Sequence, residues 1–586
     1  MGLLSSLSSS LVELSRASRA LPDVPKMLPW GGWGPSRLLA RNVAVRPDAV
    51  ALLFEGTRAT WRDVDAASSR WARVLASRGV SKGDVVALVF DNRPDLLFAQ
   101  LGCAKLGATA ALVNSTLAGA PLSHALAVAA PTLVVAGVEH EARVRDALPE
   151  ARVLPSRLLV KAEPGEPRPG TVDEELAATS SRDGDWVAPR AEDPSSYIYT
   201  SGTTGLPKAA IIRNQRVMGA SLLYARVIHE LSPGDVLMVT LPLYHSNAQW
   251  MGWGACLAAG ATMALSRRFS ARAFFADASR AGATHFLYIG EICRYLLQTP
   301  ASPHDRAHRL RVGVGNGLRA DVWAAFQARF GVPVLREFYG ATEGNALLVN
   351  LEGRPGMIGR LRPGQRVIAA DASTGAPLRG PDGACRDVAV GETGLLVARI
   401  SRLVGFDGYV DGAASQKKVL RGVSRPGDAY FDSGDLLTLH ADRWVSFADR
   451  VGDTFRWKGE NVSTGEVGAA LDLAPGVLES TVYGVAVPGA EGRCGMASLR
   501  VDEAFSLDAF ARHVERLPGY QRPYFLRLQR EITVTATFKQ KKATLRDDGY
   551  DPCRSDDPLF FLEGGAYRPI DAALHARLAS GEVGPR

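Results

Sequence analysis

Apolar runs bounded by turn residues recur along the first part of the chain, with helical spacing between them. Asp84-Val85-Val86-Ala87-Leu88-Val89-Phe90 opens on a turn aspartate and continues as an unbroken apolar stretch, the pattern of a strand covered on both faces. A helix over Leu97–Leu106 follows, then strands at Ala110–Val113 and Pro131–Ala136. Residues 161–193 are rich in Pro, Gly, Asp and Glu and read as a surface loop. The alternation resumes over 211–345, with strands expected at Asp235–Leu241, Ala283–Ile289 and Val332–Phe338. Helix–strand alternation of this kind predicts parallel α/β sheets with helical crossovers.

The texture changes from about residue 357 to 450. Short runs such as Gly394–Ile400 and Trp444–Phe447 sit between Gly, Pro and Asp turns, which predicts a small antiparallel, barrel-like sheet. From 451 the chain reads as a unit of its own: helices at Val467–Leu473 and Leu507–Leu517, strands at Glu479–Val487 and Met496–Val501. The expected architecture is therefore α/β, with a large N-terminal domain (residues 1–450) and a smaller α+β C-terminal domain (451–586).

One stretch departs from this rhythm. Val236–Ser266 contains no Asp, Glu, Lys or Arg, and exceeds the roughly 20 residues a bilayer span needs. It also holds Pro242, His245, Asn247, Gln249 and several glycines where a span should be most apolar, so strand, loop, buried helix and strand is the expected order. Residues 3–20 could form an amphipathic arm carrying Leu3, Leu4, Leu7, Leu11 and Leu14, either frayed or resting on a membrane surface. The arm lacks the positive region of a signal peptide. Met1-Gly2 with Ser6 fits a myristoylation pattern, although the Ala- and Arg-rich usage points to a bacterial genome, where that modification is not expected.

Composition narrows the class. With 46% hydrophobic and 22% charged residues the chain is an ordinary globular protein, and a net charge of +7 without any Lys/Arg block argues against nucleic acid. The six cysteines include no CxxC pair and offer no zinc spacing, so reduced thiols in the cytoplasm are expected, with contact at the inner membrane surface left open.

The chemistry concentrates in Thr200-Ser201-Gly202-Thr203-Thr204-Gly205, ending on Lys208 after a β-like run. Glycine N–H groups, four hydroxyls and an ammonium can close around phosphate oxygens. The Walker spacing is absent, and a plain Ser/Gly/Thr turn is the competing reading. Only eleven of the 68 basic residues are lysine, so a Lys here is a departure from the chain's habit. Four further motifs follow: Phe338-Tyr339-Gly340-Ala341-Thr342-Glu343-Gly344, Phe431-Asp432-Ser433-Gly434-Asp435, Asp449 to Asn461, and Thr537-Phe538-Lys539-Gln540-Lys541.

In this order and spacing, over roughly residues 40–550, they resemble the adenylate-forming superfamily of acyl-CoA synthetases, peptide-synthetase adenylation domains and luciferases. Gly315-Asn316-Gly317-Leu318-Arg319 and Asp453-Thr454-Phe455-Arg456-Trp457-Lys458-Gly459-Glu460-Asn461 resemble more narrowly the fatty acid transport protein branch of long- and very-long-chain acyl-CoA synthetases.

That resemblance implies ATP, Mg²⁺ and CoA. It places Thr200–Gly205 and Lys208 on the β- and γ-phosphates, and Glu343 with Thr204 on the metal. Tyr339 would stack on adenine, and Gly315–Gly317 with Gly340, Ala341 and Thr342 would line the base and α-phosphate. Asp435 and Arg450 would hold the ribose, and Lys539 would reach the reacting carboxylate. Gly452, where many members carry Asp or Lys, would be the hinge of a mobile C-terminal domain. Lys458, Gly459 and Glu460 would face the thiol tunnel, and His245 would gate acyl entry or assist thioester formation. Each residue has a plainer role open to it: Asp435 a turn cap, Tyr339 core, Glu343 a helix cap, His245 a satisfied buried histidine. Three functions stay open at this point: acyl-CoA synthetase, acyl-AMP ligase serving a carrier protein, and fatty-acid uptake factor acting by acyl trapping. Sterol-type side-chain acids are a further substrate class. Trp250, Trp253 and Phe286 are candidate walls of the acyl pocket. Neither the acyl chain nor the oligomeric state is specified.

Overall fold

A computed structural model describes residues 34–585 apart from 183, 185, 202–205, 372–373, 402–404, 459, 491 and 533–541. The chain forms two compact units. The first runs to Arg360 and includes Ile400–Val419; the second comprises Leu361–Arg399 and Leu420 onward. The expected boundary at residue 450 falls inside the second unit.

The first unit is built on two mainly parallel sheets. One places its strands in the order Leu347–Asn350, Val334–Gly340, Val312–Asn316, His285–Ile289, Val236–Val239, Thr262–Leu265, Val50–Phe54, Thr57–Thr60, antiparallel only at the two edges. The other runs Leu158–Lys161, Leu133–Gly137, Val85–Val89, Thr109–Leu112, Pro194–Ser201, Pro207–Arg213, parallel except for the last strand. Val86, Ala87 and Leu88 are wholly buried, as an unbroken apolar run in a two-sided sheet requires.

Helices cover the sheets. Trp61–Ser77 starts at Thr60, whose hydroxyl accepts from the Asp63 N–H while the Asp63 carboxylate accepts from the Thr60 N–H, a reciprocal cap. This helix packs against Pro94–Leu106 where Gly102 lets the backbones approach: a Cβ there would lie 2.8 Å from Trp71 Cβ and 3.0 Å from Ala72 N. Gly102→Val is expected to destabilise the first unit by about 1–3 kcal/mol through overpacking, read as a lowered thermal midpoint; an unchanged midpoint would mean the helices can part freely.

Val236–Ser266 folds as strand, wide-turned helix Asn247–Gly254, short helix Ala255–Ala259 and strand, and no helix among the described residues is long and apolar enough to cross a membrane. The 161–193 segment is not wholly loop. Asp173–Ala178 is a helix with Asp173, Glu174 and Glu175 in its first turn, favoured by the helix dipole. Asp173 accepts from Lys161 Nζ at 2.6 Å and from the Ala162 N–H at 2.9 Å. The arm over residues 3–20, with Gly2 and Ser6, lies outside the described residues.

In the second unit, Trp444–Arg450, Ala429–Leu439, Thr393–Arg399 and Gln365–Ile368 form a curled antiparallel sheet, as the turn-rich texture predicts. A separate five-stranded sheet orders Val477–Val485, Cys494–Val501, Phe525–Leu528, Leu559–Glu563 and Ala566–Pro569. Its core stacks Phe525 on Tyr550 at 4.1 Å between ring centroids. All six cysteines are free thiols.

Candidate active site

In the first unit the phosphate-type loop is the tip of a hairpin. Pro194–Ser201 leads out and Pro207–Arg213 leads back, pairing Thr200 opposite Lys208. Gly202, Thr203, Thr204 and Gly205, at the tip, lie outside the described residues, as does the Ser201 side chain.

A segment far along the sequence docks on the returning strand. The Ile211 N–H donates to Gly408 O at 3.0 Å and the Val410 N–H to Ala209 O at 2.9 Å. Arg213 Nε meets Asp407 Oδ1 at 2.8 Å. Gly408 adopts φ +74°, and a Cβ there would meet Ser415 Oγ at 2.6 Å, so the turn admits little but glycine. This strap carries Tyr409 to the hairpin. Its ring lies 6.0 Å from Lys208 Nζ. Burial first, and then the charge and hydrogen bonding of Glu343, raises the pKa of the Tyr409 hydroxyl, and neighbouring Thr200 opposes the shift. Thr200, Lys208 and Glu343 are thus gathered around one phenol.

Glu343 sits on the turn after strand Val334–Gly340, and Arg216 grips that turn. Its guanidinium donates to Ala341 O at 2.9 Å, to Glu343 O at 3.2 Å and to Gly344 O. The same group lies 5.6 Å from the Trp250 ring centroid. Burial lowers the Arg216 pKa, and the charges of Asp407 and Glu343 oppose the shift. Thr342 Oγ1 contacts Ser246 Oγ at 3.1 Å, and Asn247 Nδ2 donates to Asn316 Oδ1 at 3.3 Å. His245 precedes these two residues at the head of helix Asn247–Gly254 and is half-buried.

Gly315 and Asn316 end strand Val312–Asn316, with Gly315 opposite Glu337 on the next strand, two residues before Tyr339. A Cβ on Gly315 would sit 2.2 Å from Tyr288 O, so this approach needs glycine. Beneath the turn is Glu337, which burial pushes up to about 8 against the pull of hydrogen bonds from Tyr288, Leu318 and Gly317.

Trp250 and Trp253 line a small cleft, partly open to solvent, together with Leu38, Val217, Ser221 and Leu257. Phe286 does not share it. It is wholly buried, with Phe274 at 5.7 Å and Phe326 at 6.0 Å between ring centroids, and belongs to the aromatic core.

In the second unit Asp435 and Arg450 face each other on adjacent strands, Nε to Oδ1 3.2 Å. Asp449, beside Arg450, is buried and accepts from Thr454 Oγ1 at 3.0 Å and from the Thr464 N–H at 2.7 Å, which fixes the strand end. Gly452 follows at φ +84°, and its carbonyl accepts from Arg546 Nη1 at 3.1 Å. Lys458 holds φ +50° on the hairpin of Phe455–Trp457 and Glu460–Val462, its Nζ 5.7 Å from the Trp457 ring and 5.9 Å from Tyr524. Glu460 is exposed; Gly459 and Lys539 lie outside the described residues.

Tyr409, Arg216 and Glu337 were not among the sequence-derived candidates. Gly408-Tyr409 reads as another turn in a Gly/Asp-rich stretch. Arg216 acts through backbone carbonyls, which leave no sequence signature. Glu337 lies two residues before Tyr339 on a strand, so the two share a face, and that periodicity could have drawn attention to it.

No cluster of three or more His, Cys, Asp or Glu suited to a metal occurs among the described residues. The acidic oxygen of Glu343 beside hydroxyls suits a hard cation that keeps waters and phosphate oxygens as its other ligands.

Residues 39–403 match the AMP-binding enzyme family. A medium/long-chain-fatty-acid–CoA ligase of Mycobacterium tuberculosis is 41% identical over 88% of this chain and 86% of its own. Mouse long-chain fatty acid transport protein 6 is 39% identical over 92% and 89%. Human long-chain fatty acid transport protein 1 is 38% identical over 97% and 89%. Among solved structures, an anthranilate CoA ligase in complex with anthranoyl-AMP aligns with a TM-score of 0.75 at 22% identity, covering 88% of this chain and 97% of that one. ATP-bound MatB of Rhodopseudomonas palustris does so at 0.75 and 22%, covering 89% and 100%. At that identity the structural likeness speaks for the fold alone, which this chain shares in its mixed α/β sheets and curled antiparallel sheet. The chain belongs to the AMP-binding enzymes, within the group of fatty-acid–CoA ligases and long-chain fatty acid transport proteins.

Proposed function

We propose that the protein converts a medium- to long-chain fatty acid into its CoA thioester through an acyl-adenylate. The observation that carries the reading is the meeting of Thr200, Lys208 and Glu343 around Tyr409 at the tip of the phosphate hairpin. An ammonium and a carboxylate neighbouring one phenol, with a threonine hydroxyl beside it, suit a polyphosphate and its cation. The chain's relatives supply the acyl class.

In the first half-reaction a carboxylate oxygen of the fatty acid attacks the α-phosphorus of ATP and the bond to pyrophosphate breaks. Lys208, with the Thr200–Gly205 backbone and hydroxyls, holds the departing pyrophosphate end. Glu343 and Thr204 would hold a Mg²⁺ ion, which would neutralise charge on the phosphates. Tyr339 and Gly340–Thr342 receive the base, and Asp435 and Arg450 the ribose. Lys539 neutralises the colliding carboxylate and α-phosphate. In the second half-reaction the CoA sulfur attacks the acyl carbon and AMP leaves, with the thiol proton passing to solvent. Residues 451–586 turn about Gly452 between the two steps, withdrawing Lys539 and bringing Lys458–Glu460 to the thiol path. His245 and the Trp250–Trp253 wall face the acyl chain. Residues 3–20 supply a peripheral membrane contact.

Pyrophosphate exchange with a panel of fatty acids, run with and without CoA, tests this. Exchange that depends on a C8 to C20 acid, and thioester on adding CoA, is expected. Absence of exchange with every acid would refute the reading, and exchange without thioester would turn it toward a ligase serving a carrier protein.

A further inference from the structure

Glu337 is a carboxyl with 2% of its surface exposed. It lies on strand Val334–Gly340 and reaches the turn that closes the neighbouring strand Val312–Asn316. Its Oε2 accepts from the Gly317 N–H at 2.8 Å, and its Oε1 from the Leu318 N–H at 3.2 Å and from the Tyr288 hydroxyl at 2.9 Å. The neighbouring Arg336 faces the other way, to Ile228 O and Glu230, so no cation offsets the buried carboxyl from its own strand. A buried carboxyl without a cation is costly unless donors surround it, and here two of the three donors are turn amides that would otherwise be orphaned.

The turn has little room to adjust. Gly317 holds φ +79°, a Cβ on Gly290 would lie 1.9 Å from Gly317 O, and Asn316 is tied from the far side by Asn247. Tyr339 follows Glu337 on the same strand face.

We infer that Glu337 is a positioning residue for ATP: its carboxyl sets the Gly315–Leu318 turn in the shape that receives the nucleotide. The inference rests on Gly315–Gly317 lining the nucleotide. It adds that the shape is imposed from below by one side chain rather than by the glycines alone.

ATP affinity of the full-length protein, measured by titration calorimetry without acyl substrate, reads this separately from the acyl-CoA reaction. A wrong acyl assignment would abolish exchange and leave this measurement intact. Glu337→Leu keeps the volume and removes the acceptors; its ATP Kd is expected to rise about 10- to 100-fold, as the loss of two or three hydrogen bonds implies. The KM of the fatty acid should change less than about twofold, since a turn confined to the nucleotide side leaves acyl binding alone. Glu337→Gln, which keeps one of the two acceptor oxygens, should recover part of the loss. Unaltered ATP affinity in Glu337→Leu overturns the inference, as does an equal rise in both constants or a Gln variant as weak as the Leu variant. Should Glu337→Leu not fold, Tyr288→Phe decides: weaker ATP binding with unchanged acid KM supports positioning, and unchanged ATP binding overturns it.

Discussion

Glu343→Gln is expected to lower kcat/KM for pyrophosphate exchange by about 10²–10³-fold, the loss typical of removing one preorganised electrostatic partner. The amide keeps the side chain's shape and its place beneath the Tyr409 hydroxyl, so the turn held by Arg216 should survive. What goes is the negative charge that a phosphate-bound cation needs. Tyr409→Phe is the companion measurement. It deletes the hydroxyl that neighbours the Glu343 charge and Thr200; a hydrogen bond to a charged group is worth about 1.5–3 kcal/mol, so the expected cost is about 10- to 100-fold. The two effects should fall well short of adding, because both act on one carboxylate. Mg²⁺-dependent ATP binding, followed by calorimetry, should weaken in both variants. Full Mg²⁺ dependence in Glu343→Gln would remove Glu343 from the cation site.

The backbone architecture was largely written in hydrophobic periodicity. Val85–Val89, Leu133–Gly137 and His285–Ile289 are apolar runs bounded by turns, and each is a central strand of a parallel sheet. Val236–Ser266 was readable for the opposite reason: its polar residues sit where a membrane span cannot hold them, and they mark the loop and helix start beside Asn316 and Thr342. Asp173–Ala178 escaped because its helix is short and set among Pro and Gly, although three acidic residues in the first turn signalled it.

The site divides along a different line. Residues whose proposed roles run through their own side chains in contiguous motifs, such as Thr200, Lys208 and Glu343, were proposed from local chemistry. Residues that act by holding backbone could not. Arg216 hydrogen-bonds backbone carbonyls, and Glu337 accepts mainly from amides. Tyr409 reaches the hairpin because a strap from distant sequence adds two backbone hydrogen bonds to strand Pro207–Arg213, a pairing without local signature.

Lys539→Ala is expected to separate the two half-reactions. Adenylation brings together two anions, the fatty carboxylate and the α-phosphate, and a lysine ammonium at their meeting point stabilises the charge that builds there. Its removal should cut acyl-AMP formation by about 10²–10³-fold. The thiol step starts from acyl-AMP already made. No second anion has to be forced against the phosphate, and in the proposed turn about Gly452 the lysine has withdrawn. Thioester formation from supplied acyl-AMP and CoA should therefore stay within about threefold of the wild-type rate, since an interaction absent from a step's transition state contributes nothing to it. Gly452→Pro provides the contrast. The glycine adopts φ +84°, which proline, fixed near −65°, cannot reach, so the chain path at the turn must change. If residues 451–586 move about this position, Gly452→Pro should impair the thiol step at least as strongly as adenylation, the reverse of the Lys539 pattern. Equal loss of both half-reactions in Lys539→Ala would leave no ground for a lysine that visits one step only, and the motion about Gly452 would fall with it.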